Sequence, residues 1–160
     1  MSLTIHSTAF ENGAVIPLKH TGDGDDVSPA LQWQGVPENA AELVLICDDP
    51  DAPTPQPWVH WLIYGLAPDL TGLPEGIPVD GELNTPVAAR QGKNSWPSGQ
   101  TVGYRGPAPP PGHGTHHYHF RLYAVSEPLG LPAGVDRSVL DQALAGKVLA
   151  SPEVVGTYER

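Results

Sequence analysis

The sequence predicts a mostly β protein, and three observations favour this class. Glycine and proline supply 18 and 19 of the 160 residues, which excludes an all-α bundle because proline lacks a backbone donor and glycine raises the entropic cost of a helix. Short apolar runs rich in β-branched and aromatic residues recur along the chain, as is typical of strands. One segment has the apolar spacing of an amphipathic helix. The length is that of an ordinary domain, so we expect residues 1–160 to form a single domain.

Five segments have the pattern of strands. Residues 28–33 lead into a half-apolar strand, and residues 43–47 (LVLIC) form a continuous apolar run between acidic residues. A run of this length and composition is typical of a strand buried on both faces. Residues 58–66 are aromatic and β-branched, and residues 119–125 alternate between apolar and polar. A closing strand is expected over residues 154–158.

The remaining segments are a long loop region and one helix. Residues 67–114 contain proline or glycine every few positions, so we expect loops there, with room for a short strand over residues 101–105. Residues 135–150 carry an apolar stripe at helical spacing, with Asp136 as the N-cap and Gly146 at the end.

Composition limits the classes of partner. The chain has 8 basic against 18 acidic residues, a net charge of −10, which disfavours nucleic acids and anionic membrane surfaces because both require cations. No apolar run approaches the ~20 residues that span a bilayer, so no membrane insertion is expected. The single cysteine, Cys47, excludes an internal disulfide. The N-terminus lacks the pattern of a signal peptide, which predicts a cytoplasmic location.

Two acidic segments are candidate sites. Residues 21–26 (TGDGDD) suggest calcium, but position 32 is glutamine where an EF-hand needs glutamate, which favours a solvated turn. Residues 48–53 (DDPDAP) place three carboxylates directly after the buried strand. They form either an acidic turn or a partly buried site that needs a cation or hydrogen-bond donor. The peptide bonds before Pro50 and Pro53 are candidates for the cis form.

Histidines form the other candidate clusters. His60 lies in an apolar strand, where strict alternation groups it with Trp58 and Leu62, opposite Val59, Trp61 and Ile63. An imidazole there must find a polar partner. Four more histidines fall within residues 113–119 and suggest zinc, with an aspartate completing the site. Strand geometry weakens that interpretation, because His116 and Tyr118 would face one way while the other two histidines of the strand face the opposite way.

The proline-rich residues 107–111 precede these histidines. They are either a ligand for proline-recognition domains or, given the flanking glycines, a rigid pocket wall.

Several ordered blocks carry a family resemblance. They are residues 28–33 (SPALQW), 49–53 (DPDAP), 58–61 (WVHW), 106–118 and 149–158. In this order they resemble the phosphatidylethanolamine-binding protein family, and within it the bacterial Raf kinase inhibitor-like branch. The resemblance extends from about residue 10 to the C-terminus.

The resemblance implies a fold and a site. The fold would be a two-sheet antiparallel β-sandwich-like core with a few short C-terminal helices. A small anion pocket would lie at one end of the larger sheet and hold phosphate, sulfate, carboxylate or a phosphorylated head group. Its ligand-binding residues would be Asp49, Asp51, Pro53, His60, Gly106, Pro107, His116 and Tyr118.

We therefore expect a non-enzymatic binding protein without cofactor or metal, since no nucleophile accompanies the histidines and aspartates. Neighbouring carboxylates would protonate His60 and His116, and backbone N–H groups near Gly106 would add donors, so anion affinity would rise as the pH falls from 8 to 6. One alternative is a metal-assisted hydrolase that uses His60, His116 and Asp49. Another is recognition of a phosphorylated or acidic residue on a kinase or protease partner. A homodimer is expected by analogy with bacterial relatives.

Overall fold

Two antiparallel sheets organise the chain in the computed structural model, which describes residues 2–160. The smaller sheet has the order β1-β2-β5 and consists of β1 (Thr4–Ser7), β2 (Leu31–Gln34) and β5 (Gly72–Leu73). The mostly β, two-sheet fold predicted from the sequence is confirmed.

The larger sheet has seven strands in the order β10-β8-β3-β4-β7-β6, with β9 also paired to β8. They are β3 (Glu42–Asp49), β4 (Trp58–Leu66), β6 (Glu82–Leu83), β7 (Ala89–Gln91), β8 (His116–Val125), β9 (Val148–Ala150) and β10 (Glu153–Tyr158). β3 lies at the centre, between β4 and β8. All eight of its residues are buried, as its apolar run predicts.

Each face of the larger sheet covers its own apolar cluster. On one face, Leu45 and Phe120 pack with Trp33 of the smaller sheet. On the opposite face, Ile46 and Leu62 pack with the helix α1 (Arg137–Leu144). The sheet is therefore the middle layer of the fold, which explains the near-continuous apolar sequence of β3.

A β-bulge interrupts the pairing of β3 with β4. Cys47 pairs with Trp61 and Asp48 with Val59, so the intervening His60 has no partner opposite it. Strict alternation therefore predicts the faces wrongly here. Val59 joins the cluster under α1, whereas His60 lies on the other side of the sheet, against Tyr118.

The helix is shorter than predicted. Asp136 caps it as expected, accepting a hydrogen bond from the Val139 backbone at 3.0 Å. The helix ends at Leu144 because Ala145 leaves the helical conformation, with ψ of 125°, and Gly146 has φ of +76°, and β9 replaces its expected last turn. Apart from a short 3₁₀ turn over residues 18–20, α1 is the one helix within residues 2–160. The resemblance implied a few C-terminal helices, so that detail is wrong. Neither helical segment is long and apolar enough to cross a membrane.

Ion pairs attach the helix to the sheet. Arg137 of α1 and Arg121 of β8 both donate to the buried carboxylate of Asp48, at 2.9 and 2.6 Å. Two guanidinium partners compensate for burying this charge. The Asp48 side chain therefore lies on the face of the sheet that α1 covers, and the side chain of its neighbour Asp49 lies on the opposite face.

The loop region contains more regular structure than predicted. Strands β5, β6 and β7 lie within residues 67–114, and each is only two or three residues long. Residues 101–105 contribute a single bridge, between Val102 and Lys93, instead of a strand. The cis peptide bond of the described chain is Thr85–Pro86, so the bonds before Pro50 and Pro53 are trans.

Candidate functional site

A cavity of about 220 Å³ lies at one edge of the larger sheet. It forms where β3 ends and where β4 and β8 begin, because antiparallel neighbours bring the end of one strand beside the start of the next. Asp49 ends β3, His60 lies near the start of β4, and His116 begins β8. The volume is below the ~300 Å³ at which drug-sized pockets begin, which suits a small group.

The cavity brings together five of the eight predicted site residues. Its walls include Asp49, Pro53, His60, His116 and Tyr118. These residues come from three strands and one loop, and Asp49 and His116 are 67 positions apart in the chain. The other three predicted residues, Asp51, Gly106 and Pro107, do not line the cavity.

A chain of hydrogen bonds runs from the cavity wall to the surface. The Nδ1 atom of His116 lies 2.5 Å from the Asp49 carboxylate, and both side chains are buried. Its Nε2 atom lies 2.6 Å from Nδ1 of the exposed His113. One of these two nitrogens must carry the proton and the other must accept it. The chain therefore links a buried carboxylate to solvent through two imidazoles.

His60 has a fixed tautomer. Its Nδ1 atom lies 2.6 Å from the carbonyl oxygen of Arg105, and a carbonyl only accepts, so Nδ1 carries the proton. Burial lowers the pKa of His60 and outweighs the opposing effects of the Arg105 carbonyl and the nearby carboxylates. The expected protonation of His60 by a neighbouring carboxylate is therefore wrong. In the neutral ring, Nε2 is a hydrogen-bond acceptor.

Two polar atoms of the wall remain free for a ligand. Neither Nε2 of His60 nor the Tyr118 hydroxyl has a protein partner, and within residues 2–160 no solvent-inaccessible polar side-chain atom is left unpaired. Both atoms are therefore open to the cavity. Burial raises the pKa of the Tyr118 hydroxyl above its ordinary value, so the hydroxyl stays protonated and can donate a hydrogen bond.

Asp51 lies at the rim instead of in the wall. Its carboxylate accepts hydrogen bonds from the backbone N–H and the Nδ1 atom of His117, both at 2.8 Å. Burial raises the pKa of Asp51, but these bonds and the His117 charge outweigh it and leave the pKa below its ordinary value. The Asp51 backbone N–H in turn donates to Asp49 at 2.8 Å. Asp51 thus positions the residue that does line the cavity.

Gly106 and Pro107 hold the proline-rich wall in place. The Gly106 N–H donates to the Asp26 carboxylate at 2.7 Å, so this particular N–H is not available to an anion. A Cβ atom on Gly106 would clash with the carbonyl oxygen of His20, which explains why glycine is needed there. The Pro107 carbonyl accepts from the Gly22 backbone at 2.8 Å.

An aromatic part of the wall has no signal in the sequence pattern. Trp58 and Trp96 line the cavity with their rings in an edge-to-face arrangement, 5.4 Å apart. The guanidinium of Arg105 lies over Trp96 at 4.6 Å. Strand alternation places Trp58 beside His60 but indicates no role for it, and nothing in the sequence connects Trp96 to the site. The proline-rich segment was identified, and Pro109 and Pro110 do line the cavity.

The charge of the cavity comes from few groups. Among the described residues that line it there is no lysine or arginine, and Asp49 is the one carboxylate. Over residues 2–160 no three histidine, cysteine, aspartate or glutamate side chains have the arrangement of a metal site. His117 and His119 face away from the cavity and pair with Asp51 and Glu153, as the strand alternation predicts.

Comparisons with known proteins agree with this architecture. The family model for phosphatidylethanolamine-binding protein matches residues 6–159. UPF0098 protein PH1269 of Pyrococcus horikoshii is 44% identical over 160 residues, which cover 100% of this chain and 78% of that protein. A UPF0098 protein of Methanothermobacter thermautotrophicus is 46% identical over 160 residues, covering 100% and 99% of the two chains.

Solved structures show the same arrangement. Escherichia coli YbcL, described as a new member of the mammalian PEBP family, superimposes with a TM-score of 0.90 at 27% identity, covering 100% of this chain and 99% of YbcL. The Chlamydia trachomatis protein CT736 superimposes with a TM-score of 0.86 at 35% identity, covering 99% and 98%.

Proposed function

The chain belongs to the phosphatidylethanolamine-binding protein family, and we propose that it is a non-enzymatic binding protein whose cavity holds a small oxyanion. Phosphate, alone or as part of a phosphorylated head group, is the ligand we favour. The observation that carries the proposal is the buried His116–Asp49 pair beside two free polar atoms, Nε2 of His60 and the Tyr118 hydroxyl.

The charge of an anion must be balanced within this wall. With no lysine or arginine among the lining residues, the positive charge has to come from His116. His116 lies directly against the Asp49 carboxylate, with Nδ1 2.5 Å from its oxygen. Imidazolium and carboxylate together are neutral, so a monoanion can enter without net repulsion. The Tyr118 hydroxyl supplies a further donor.

The residues around the cavity support binding more than catalysis. Cys47 is in the apolar core, and burial raises the pKa of its thiol well above the ordinary value, which disfavours a nucleophilic thiolate. His60 and His116 each have Nδ1 committed to a structural hydrogen bond.

The alternative metal-assisted hydrolase would need His60, His116 and Asp49 to converge on one ion. Within residues 2–160 these three side chains do not have the arrangement of a metal site, which gives this alternative less support. A zinc assay on tag-free protein tests it. Stoichiometric zinc that is lost in His60→Ala would favour the hydrolase.

Calorimetric titration with inorganic phosphate at pH 6 tests the proposed function. In this proposal Nε2–H of His116 exchanges His113 for the anion, a charge-assisted hydrogen bond worth about 1.5–3 kcal/mol, so His116→Ala should weaken binding by about 10- to 100-fold. His119→Ala is the matched control, because His119 is on the same strand, faces away from the cavity and pairs with Glu153. Wild-type affinity in both variants, or no binding by the wild type, would contradict the proposal.

The same cavity would accept a phosphorylated or acidic side chain from a protein partner such as a kinase or protease. A pull-down that compares wild type with His116→Ala tests this. The homodimer and the cytoplasmic location stay predictions, which sedimentation and cell fractionation would test.

A further inference from the structure

Resting on the proposed function, we propose that His60 makes the cavity selective for an oxyanion that still carries a proton. The preferred ligand would be the monoanion of a phosphate monoester or of inorganic phosphate, which presents a P–OH group. Phosphate diesters and sulfate esters have the same single charge but no hydroxyl, and they would bind poorly.

The direction of the His60 ring is fixed. Nδ1–H donates to the Arg105 carbonyl at 2.6 Å, and this carbonyl belongs to the loop that also packs over Trp96. The ring is 3% exposed and lies between Trp96 and Tyr118, at centroid distances of 5.2 and 5.1 Å. It cannot turn over without losing its Arg105 bond, so Nε2 presents a lone pair to the cavity.

The groups around the ring do not supply a proton to Nε2. Tyr118 packs edge-on against it from β8, and His116 of β8 and Asp49 of β3 line the same cavity. The His116 nitrogens are engaged with His113 and Asp49, and a carboxylate accepts only. Tyr118 has one hydroxyl proton, which the proposed function directs to the anion.

Three carboxylates contribute a negative electrostatic potential at His60. Asp49, Asp26 and Asp48 all favour a protonated ring, yet burial outweighs them. Nε2 therefore stays an acceptor at neutral pH, and the hydrogen that satisfies it must come from the ligand.

This requirement separates ligands of equal charge. A fully ionised oxygen against Nε2 would place two lone pairs together, and both groups would lose their hydrogen bonds to water. Sites built around one hydrogen bond reject analogues that cannot make it. The second pKa of a phosphate monoester is about 6, so at that pH a large fraction still carries the hydroxyl.

Three small probes isolate the hydroxyl. Methyl phosphate, dimethyl phosphate and methyl sulfate are compared by calorimetry at pH 6, with the affinity of methyl phosphate expressed per monoanion. We expect methyl phosphate to bind at least about tenfold more tightly than the other two, the equivalent of one hydrogen bond of about 1.4 kcal/mol. From pH 7 to pH 8 its apparent affinity should fall about tenfold, because the ligand loses its proton.

Two substitutions test the role of His60. In His60→Asn the amide can still donate to the Arg105 carbonyl but offers nothing at the position of Nε2, so the preference for methyl phosphate should shrink to under about threefold. In His60→Gln the longer amide reaches the position of Nε2 and should retain the preference. Circular dichroism establishes that each variant is folded, and the wild-type series decides the matter if neither is.

The outcomes distinguish the two proposals. Equal binding of all three probes to the wild type, or an undiminished preference in folded His60→Asn, would overturn the proton selectivity and leave the proposed function intact. Failure of every probe and of inorganic phosphate to bind would overturn the proposed function and the selectivity together.

Discussion

Replacing Asp49 with asparagine should destabilise the protein through a single lost acceptor. The buried carboxylate accepts two hydrogen bonds, from His116 Nδ1 at 2.5 Å and from the Asp51 backbone N–H at 2.8 Å. An amide has one oxygen and one NH₂ group. Whichever way it turns, the NH₂ group meets one of those donors. Against the Asp51 N–H it leaves that donor unsatisfied, and against His116 it bonds only if the ring proton moves from Nδ1 to Nε2. In both orientations the charge-assisted bond to the carboxylate is lost.

The cost follows from these contacts. Losing one charge-assisted hydrogen bond is worth about 1.5–3 kcal/mol, and relief from burying the charge offsets the penalty of the unsatisfied donor. We expect Asp49→Asn to lower the free energy of unfolding by about 2–3 kcal/mol. For a chain of this length that corresponds to a fall in Tm of roughly 4–12 °C.

Urea denaturation at pH 7, followed by tryptophan fluorescence and circular dichroism, measures this change. Asp51→Asn is the matched control from the same loop, since its carboxylate is 42% exposed and pairs with the half-exposed His117. Exposed pairs contribute less than about 1 kcal/mol. A loss below 0.5 kcal/mol for Asp49→Asn, or an equal loss in both variants, would refute the reasoning.

Three further predictions concern the cavity and its walls. His113→Ala removes the competitor for Nε2 of His116 and should raise phosphate affinity about 2- to 10-fold in calorimetry; weaker binding would contradict this. In Gly106→Ala the new Cβ atom clashes with the His20 carbonyl oxygen, and the free energy of unfolding measured in urea should fall by about 3 kcal/mol. In Gly112→Ala no atom lies within 4 Å of the new Cβ, so the positive φ alone should lower it by about 1 kcal/mol. The pKa of His60 is lowered by burial, so its contribution to stability is complete above about pH 6.5 and is lost as the pH falls toward the folded-state value. The stability difference between wild type and His60→Asn should therefore shrink between pH 7.5 and 5.5, by at most about 1.4 kcal/mol per pH unit, and a constant difference would contradict the assignment.

The sequence predicted the elements whose signals lie within a few neighbouring residues. The apolar run over residues 43–47 gave the central strand, and Asp136 gave the start of α1, because continuous burial and helix capping both have direct sequence signals. The end of α1 was missed, since the apolar stripe continues into residues that the larger sheet recruits as β9.

The faces of β4 show where pattern failed. Strict alternation assigns each residue of β4 to a face by its position along the strand. The bulge opposite Cys47 and Asp48 inserts one extra residue, His60, so residues before it lie on the opposite face from the one that alternation predicts. The sequence of the strand carries no mark of that bulge, because it arises from the fit between two neighbouring strands.

From its sequence alone, this protein is a mostly β member of a recognisable family with acidic and histidine side chains near strand ends. Those properties are written in composition, periodicity and ordered blocks of residues. The tertiary structure decided which nitrogen of each imidazole is occupied and which atoms remain free. Hydrogen bonds between residues 45 and 67 positions apart fix His60 and His116, and no local pattern can encode contacts that exist only after distant strands have met.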